Sequence, residues 1–92
     1  MDIAWDPKKA DINLRKHGVS LAEAATVLTD DCALTREDPD TVGEQRFVSL
    51  GMSSTGVMLV LVYTHREPET YRLIASWKAS KSQRAQYEKN RR

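Results

Sequence analysis

Three β-type runs follow one another in the second half of this 92-residue chain and constrain its fold more than any other feature. They read RFVSLGM over 46–52, VMLVLVYT over 57–64 and TYRLIASW over 70–77. The linkers SSTG and HREPE have lengths typical of β-hairpins, so we predict an antiparallel meander. The middle run is apolar on both faces, which indicates a central strand covered on each side.

The N-terminal residues predict a helix with complete end signals. Asp6 is a good N-cap acceptor, and Pro7 suits the first helical position, where its missing N–H is not needed. Gly18 stands where a left-handed residue closes a helix. We therefore predict a helix over 7–17. Its apolar residues are Ala10, Ile12 and Leu14.

A second helix follows after a short elbow. Ser20 and Glu23 form a Ser-x-x-Glu capping box, and Val19 is placed to act as a hydrophobic staple. Apolar residues then keep helical spacing, so we predict a helix over 21–28 that forms a hairpin with the first.

Shorter segments complete the predicted fold. The segment 2–5 alternates as an edge strand does, and 32–35 is long enough for a short strand. Ser80 and Gln83 form another capping box, which predicts a C-terminal helix over about 81–89.

These elements predict an α+β domain over residues 1–92. An N-terminal helical hairpin and a C-terminal helix pack on an antiparallel meander sheet. The 40% hydrophobic and 29% charged content is that of an ordinary soluble globule, and we find no internal repeat.

Several classes of protein are disfavoured by composition. The longest apolar run, over 57–63, is much shorter than the ~20 residues of a membrane span, and the first residues do not resemble a signal peptide. Cys32 is the single cysteine, which excludes an internal disulfide and a cysteine-based zinc site. We expect a cytoplasmic protein.

The net charge of +1 conceals an uneven distribution along the chain. Residues 20–44 carry seven anions and one cation, whereas residues 45–92 carry nine cations and three anions. Two interpretations stay open: one surface attracts anions, or the two oppositely charged segments neutralise each other within the fold.

The order of several short signatures resembles that of the BrnT family of bacterial toxins. These are the segments WDPKKADINLRKHGVSLAEAATVL, EQRFVSLGMSSTGVMLVLVYTHR and YRLIASWKASKSQRAQYE, which together span 5–88. Each signature is weak alone, and the combination in this order is specific.

The resemblance implies a toxin of a type II toxin–antitoxin system with the fold of the RelE ribonucleases. Members of the family arrest growth by cutting RNA. The implied partner is a ribbon-helix-helix antitoxin, in an assembly of two toxins and two antitoxins that contacts operator DNA only through the antitoxin.

One position departs from the family pattern. Relatives usually read Ser-Ala-Arg-Lys-Ala at the end of the last strand, whereas this chain has Trp77 in place of the arginine. Arginine offers a fork of donors to a phosphate, while tryptophan offers a face for base stacking. The substitution puts catalysis in doubt without affecting the predicted fold.

RNA cleavage without a metal needs a base for the ribose 2′-OH, cations for the phosphoryl oxygens and an acid for the leaving 5′-oxygen. His17 is the candidate acid or base, because histidine titrates near neutral pH. The resemblance retains the Lys-His-Gly unit, which makes Lys16 a candidate phosphate contact. It also makes Arg66, at the end of the central strand, the candidate that holds the scissile phosphate.

Each of these residues has a structural alternative. Lys16 and His17 stand in the last turn of a predicted helix, where free carbonyls and the helix dipole favour cations. The alternative for Arg66 is a solvated hairpin residue paired with Glu67 or Glu69.

Five further residues are candidate RNA contacts: Arg46, Arg72, Trp77, Lys78 and Tyr87. The two arginines either frame an electropositive groove or bridge to carboxylates. Lys78 replaces part of the charge lost at Trp77, although from the opposite strand face. Tyr87 either donates a hydrogen bond to RNA or lies in the core, and the core is favoured.

Two functions follow from these residues. The first is a metal-independent endoribonuclease toxin silenced by an antitoxin; the second is a catalytically weakened homologue that binds the antitoxin and regulates the operon. The basic C-terminal half also permits a third function, that of an unrelated small RNA-binding domain, but the nearly full-length family resemblance outweighs it. No cofactor is expected, because the sequence contains neither a phosphate-binding glycine loop nor a metal motif.

Overall fold

The computed structural model describes residues 1–39, 43–66 and 68–91, and these residues adopt the predicted α+β fold. The strands are β1 (Asp2–Trp5), β2 (Leu34–Glu37), β3 (Arg46–Met52), β4 (Met58–Arg66) and β5 (Thr70–Lys78). The helices are α1 (Pro7–His17), α2 (Leu21–Ala25) and α3 (Lys81–Arg91), and a 3₁₀ turn covers Thr26–Thr29.

The strands form one sheet in the order β1-β5-β4-β3-β2. From β2 to β5 the strands are antiparallel neighbours, so the predicted meander is confirmed, with β4 at its centre. The expectation of a wholly antiparallel sheet is wrong, because β1 pairs parallel to β5. The chain leaves β1 into the helices and returns beside it only as β5, the last strand of the meander, which runs in the same direction.

The sheet has two different faces. α1 and α2 cover the first, which we call the helix face. Its buried core residues are Val19, Leu21, Ala24, Val27, Leu59, Leu61, Tyr63 and Leu73. α3 covers only part of the other face, which we call the open face, through a smaller cluster. That cluster contains Leu50, Met58, Val60 and Tyr87.

The predicted ends of α1 are confirmed, but of its three apolar residues only Ala10 packs against the core. Asp6 accepts a hydrogen bond from the Lys8 N–H at 2.9 Å, and Gly18 closes the helix with φ of 69°. Ile12 and Leu14, in contrast, are 60% and 50% exposed. The residue that α1 buries is Asn13, because its carboxamide is needed at the edge of β5.

The predicted second helix is shorter than expected. The α-helix ends at Ala25 and continues only as the 3₁₀ turn. Ser20 accepts from the Glu23 N–H as a capping box requires, but the Glu23 carboxylate accepts instead from the hydroxyls of Ser53 and Thr55. This tertiary contact ties the β3–β4 turn to α2.

The remaining predictions need small corrections. The strand predicted over 32–35 lies at Leu34–Glu37. The capping box of α3 is complete, since Gln83 N–H donates to the Ser80 hydroxyl and Ser80 N–H donates to the Gln83 side chain. That helix runs to Arg91. No helix in the described ranges combines the length and the apolar character needed to cross a bilayer.

An irregularity in β5 decides which side chains share the open face. Val62 pairs with Ala75, but the next residue of β4, Tyr63, pairs with Leu73, so Ile74 is an extra residue in β5. In a regular strand, residues separated by five positions point to opposite faces. The extra residue therefore places Arg72 and Trp77 on the same face.

Candidate functional site

The C-terminal half of β5 is an open edge beside α1. β1 ends at Trp5, opposite Leu73, and beyond this point α1 lies next to β5 in place of a strand. The Asn13 carboxamide donates to the Ser76 carbonyl at 2.8 Å and accepts from the Ser76 N–H at 3.0 Å. These bonds hold the last turn of α1 against the end of β5.

Four sequence-predicted residues meet at this edge: Lys16, His17, Trp77 and Lys78. We call them the edge cluster; together they line one open depression. The imidazole of His17 lies against the indole of Trp77, with ring centroids 5.8 Å apart and planes at 44°. Trp77 and Lys78 point to opposite faces, as alternation predicts, and both reach the depression because it lies at the sheet edge.

The edge cluster is cationic and accessible. Within the described ranges, neither Lys16 nor His17 forms an ion pair. Lys78 lies near Glu23, whose pKa is held below its ordinary value by hydrogen bonds from Thr55 and Ser53 and by the Lys78 ammonium. The cluster thus combines an imidazole, two ammonium groups and an aromatic ring around a space that solvent reaches.

A second group of cations lies on the open face at the other end of the sheet. Arg46, Thr64 and Arg72 occupy one register row across β3, β4 and β5. Arg66 follows Thr64 by two positions in β4 and therefore points to the same face. We call Arg46, Arg66 and Arg72 the arginine cluster.

Arg66 is bound to a carboxylate that the sequence did not indicate. Its Nε and Nη2 donate to the two carboxylate oxygens of Glu44 at 2.8 and 2.6 Å. These bonds lower the pKa of Glu44 to about 2. Of the partners predicted for Arg66, Glu67 lies outside the described residues, and Glu69 lies 3.4 Å from the N-terminal amine of Met1.

Lys16, His17 and Arg66 do not form one pocket, which corrects the sequence prediction. Trp77 pairs with Val60, and Arg66 lies six positions further along β4, a separation of about 20 Å. The edge cluster and the arginine cluster are joined along the open face by Val62 and Ala75, which pair with each other. The geometry provides two cationic sites at the ends of one surface.

Two other residues with side chains suited to acid–base chemistry or RNA contact lie away from this surface. His65 points to the helix face, opposite to Arg66 because neighbouring strand residues alternate, and stacks on Tyr71 with centroids 4.4 Å apart. Tyr87 is only 3% exposed, and its hydroxyl donates to Asp30 at 2.7 Å. Burial and this hydrogen bond raise its pKa to about 12. Tyr87 is therefore a core residue, the alternative that the sequence favoured over RNA contact.

The residues missed by sequence reasoning act through tertiary contacts. Asn13 lies in a helical segment with no signal for burial, and Glu44 is one of several acidic residues in its segment. In the described part of the chain, no group of three or more His, Cys, Asp or Glu side chains is arranged to hold a metal ion.

Comparisons with known proteins agree with this fold. Residues 5–83 match the family model described as the ribonuclease toxin BrnT of type II toxin–antitoxin systems. The crystal structure of the Brucella abortus ribonuclease toxin BrnT is similar, with a TM-score of 0.64 and 23% sequence identity over 88% of this chain and 99% of that chain. At this identity the likeness shows the fold alone. No curated protein matches the sequence.

Proposed function

Because this chain belongs to the BrnT family of ribonuclease toxins of type II toxin–antitoxin systems, we propose that it cleaves RNA at the edge cluster without a metal ion. The observation that carries the proposal is the contact between His17 and Trp77 in an open depression lined by Lys16 and Lys78. An acid–base group and cations are parts that this reaction needs, and the aromatic ring is a platform on which a base of the RNA can stack.

The reaction is an internal transfer of the phosphoryl group. The ribose 2′-oxygen loses its proton to a base and attacks the adjacent phosphorus, and the bond to the 5′-oxygen breaks as that oxygen gains a proton. The products are a 2′,3′-cyclic phosphate and a 5′-hydroxyl. His17 carries one of the two protons, while Lys16 and Lys78 stabilise the charge on the phosphoryl oxygens.

The arginine cluster binds the RNA backbone at a distance from the cleavage step. Arg66, predicted as a catalytic residue, is too far from His17 to contact the same phosphate. It is reassigned to backbone binding together with Arg46 and Arg72. Trp77 stacks on a base, and Tyr87 is left out of the proposed RNA contacts because it is buried.

Cleavage of a single-stranded RNA by the purified chain in EDTA tests this proposal. We expect products that end in a 2′,3′-cyclic phosphate, and we expect His17→Gln to lower the rate constant by ~10²-fold or more. The control is His65→Gln, which alters a histidine on the opposite face and should cleave at the wild-type rate. Equal cleavage by the His17 and His65 variants would exclude His17 as the acid–base group.

Type II toxins act with an antitoxin, and we propose that the partner here is a ribbon-helix-helix protein. The proposed assembly has two copies of each chain, lies in the cytoplasm and contacts operator DNA through the antitoxin. We further propose that the fold is RelE-like. Light scattering of the chain co-expressed with the product of the neighbouring gene measures the stoichiometry, and any mass other than that of the 2:2 complex contradicts it.

The structure also favours a second candidate function. Trp77 is in contact with His17, and it stands at the position where the family resemblance places an arginine. The substitution therefore lies within the proposed site. A chain weakened in this way would keep its antitoxin-binding and autoregulatory role without efficient cleavage.

A further inference from the structure

We propose that the arginine cluster is a phosphodiester site whose ligand position is held in the free chain by the carboxylate of Glu44. When RNA binds, one of its phosphates displaces Glu44 from Arg66. This inference rests on the proposed function in one respect, namely that the bound polyanion is RNA.

The geometry of the Arg66–Glu44 pair is that of anion recognition. The guanidinium uses two donors of its fork, Nε and Nη2, and each meets a different carboxylate oxygen. Arginine binds carboxylates and phosphates through the same bidentate arrangement, so a phosphate can replace the carboxylate without a change in donor geometry.

Other groups around Glu44 also suit a phosphate. The charge of Arg72 contributes to the lowered pKa of Glu44, so a second guanidinium lies within electrostatic reach of the anion position. Thr64, which lies in one row with Arg46 and Arg72, is only 5% exposed. Its hydroxyl lies close enough to Glu44 to lower the pKa, yet it completes no hydrogen bond within the described residues. A phosphate offers further acceptor oxygens to such a donor.

The Arg66–Glu44 ion pair is exposed to solvent, so another anion can replace the Glu44 carboxylate on Arg66. The side chains of Arg66 and Glu44 are 62% and 43% exposed, and exposed ion pairs of this kind stabilise proteins little. With a pKa of about 2, Glu44 stays ionised at neutral pH, so its release depends on a competing anion. RNA is such a competitor, because it contacts several cations at once and releases counterions.

Binding of a fluorescent, 2′-O-methylated RNA oligonucleotide, measured by fluorescence anisotropy, tests the proposal. The methyl groups block cleavage, so affinity is measured alone. We expect Glu44→Gln to bind about tenfold more tightly than the wild-type chain. The slope of log K against log salt should be the same for the two chains, because Arg66 contacts a phosphate in both complexes; a slope steeper by about 0.7 for Glu44→Gln would mean that RNA leaves the Arg66–Glu44 pair intact in the wild-type chain, which overturns the displacement.

Glu37→Gln is the matched control, because it removes the same charge from the end of β2 on the helix face. Equal effects of Glu37→Gln and Glu44→Gln overturn the displacement proposal, since they would reflect net charge only. In the background of Arg66→Gln, the effect of Glu44→Gln should shrink to that of Glu37→Gln, and a full tenfold effect there also overturns it.

Glu44→Asp provides a second test that keeps the charge. The shorter side chain should lose the bidentate contact, so we expect an affinity between those of the wild-type chain and Glu44→Gln. Wild-type affinity of this variant counts against the proposal. If the wild-type chain and all variants fail to bind the oligonucleotide, both this inference and the proposed RNA-binding function are overturned.

Discussion

The carboxamide of Asn13 makes to Ser76 the two backbone hydrogen bonds that a neighbouring strand would otherwise make. The same amide nitrogen also donates to the Val19 carbonyl at 3.0 Å. One buried side chain thus closes an open stretch of sheet edge and fixes the elbow after α1. It also positions the proposed catalytic edge cluster, since His17 lies in the same helix.

We expect Asn13→Ala to lower the free energy of unfolding by about 3 kcal/mol. The substitution leaves the buried backbone groups of Ser76 and Val19 without partners, and each such group costs roughly 1–3 kcal/mol. Urea denaturation measures the loss. The control is Asn90→Ala on α3, where the exposed amide donates to the Gln86 carbonyl and a change within ~0.5 kcal/mol is expected. Equal losses in the two variants would refute the role of Asn13 at the edge.

The substitution Trp77→Arg tests the weakened-toxin alternative. An added guanidinium beside His17 should stabilise the charge that develops on the phosphoryl oxygens, so we expect the cleavage rate to rise by roughly tenfold or more. RNA cleavage by purified protein and growth arrest on induction are the two measurements. Trp77→Phe keeps an aromatic ring without the charge and should not show the gain. A wild-type chain that cleaves as fast as Trp77→Arg contradicts the alternative.

The hydrogen bond between buried Tyr87 and half-buried Asp30 predicts a loss of stability at alkaline pH. Burial and the hydrogen bond to Asp30 raise the pKa of Tyr87 from 10.0 to about 12. Because the folded pKa exceeds the unfolded one, this contribution is complete below pH 10 and is lost as the pH rises through 12. Urea midpoints measured across this range should fall in the wild-type chain. The decline should be smaller in Tyr87→Phe, and an identical decline in both chains would disprove the assignment.

Gly51 lies where β3 packs closely against the 3₁₀ turn, and a side chain at this position would collide with its neighbours. A Cβ atom there would lie 2.9 Å from the Val27 side chain and 3.1 Å from both Ala33 and Asp30. We expect Gly51→Ala to destabilise the fold by about 1–3 kcal/mol, measured by urea denaturation, because the surrounding residues are tightly packed. In the background of Val27→Ala, the same change should cost about 1 kcal/mol less. Additive effects of the two substitutions would contradict the contact.

Features that depend on neighbours along the chain were predictable. The caps at Asp6 and Gly18 and the reciprocal box of Ser80 and Gln83 use atoms within a few residues of one another, so residue types alone specify them. The meander was predictable for a related reason. Short linkers leave consecutive strands few alternatives to antiparallel pairing.

The candidate site was predictable only in part. The chemistry of histidine and the Lys-His-Gly unit of the family resemblance identified His17 and Lys16, and Trp77 and Lys78 joined them through the packing of α1 beside β5. The placement of Arg66 failed, because the separation of about 20 Å along β4 depends on register. Its partner Glu44 lies 22 positions earlier in the chain, and no local pattern links the two.

The amino-acid sequence by itself determined most of the elements and their order, since caps, periodicity and short loops act over a few residues. The order of its short signatures indicated the family to which the chain belongs. Tertiary structure alone decided that Asn13 is buried while Ile12 is exposed, because an unpaired sheet edge requires hydrogen bonds more than an apolar contact. It also decided, through the extra residue Ile74, that Arg72 and Trp77 share one face. Both outcomes depend on which strands lie beside β5 and in what register they pair with it.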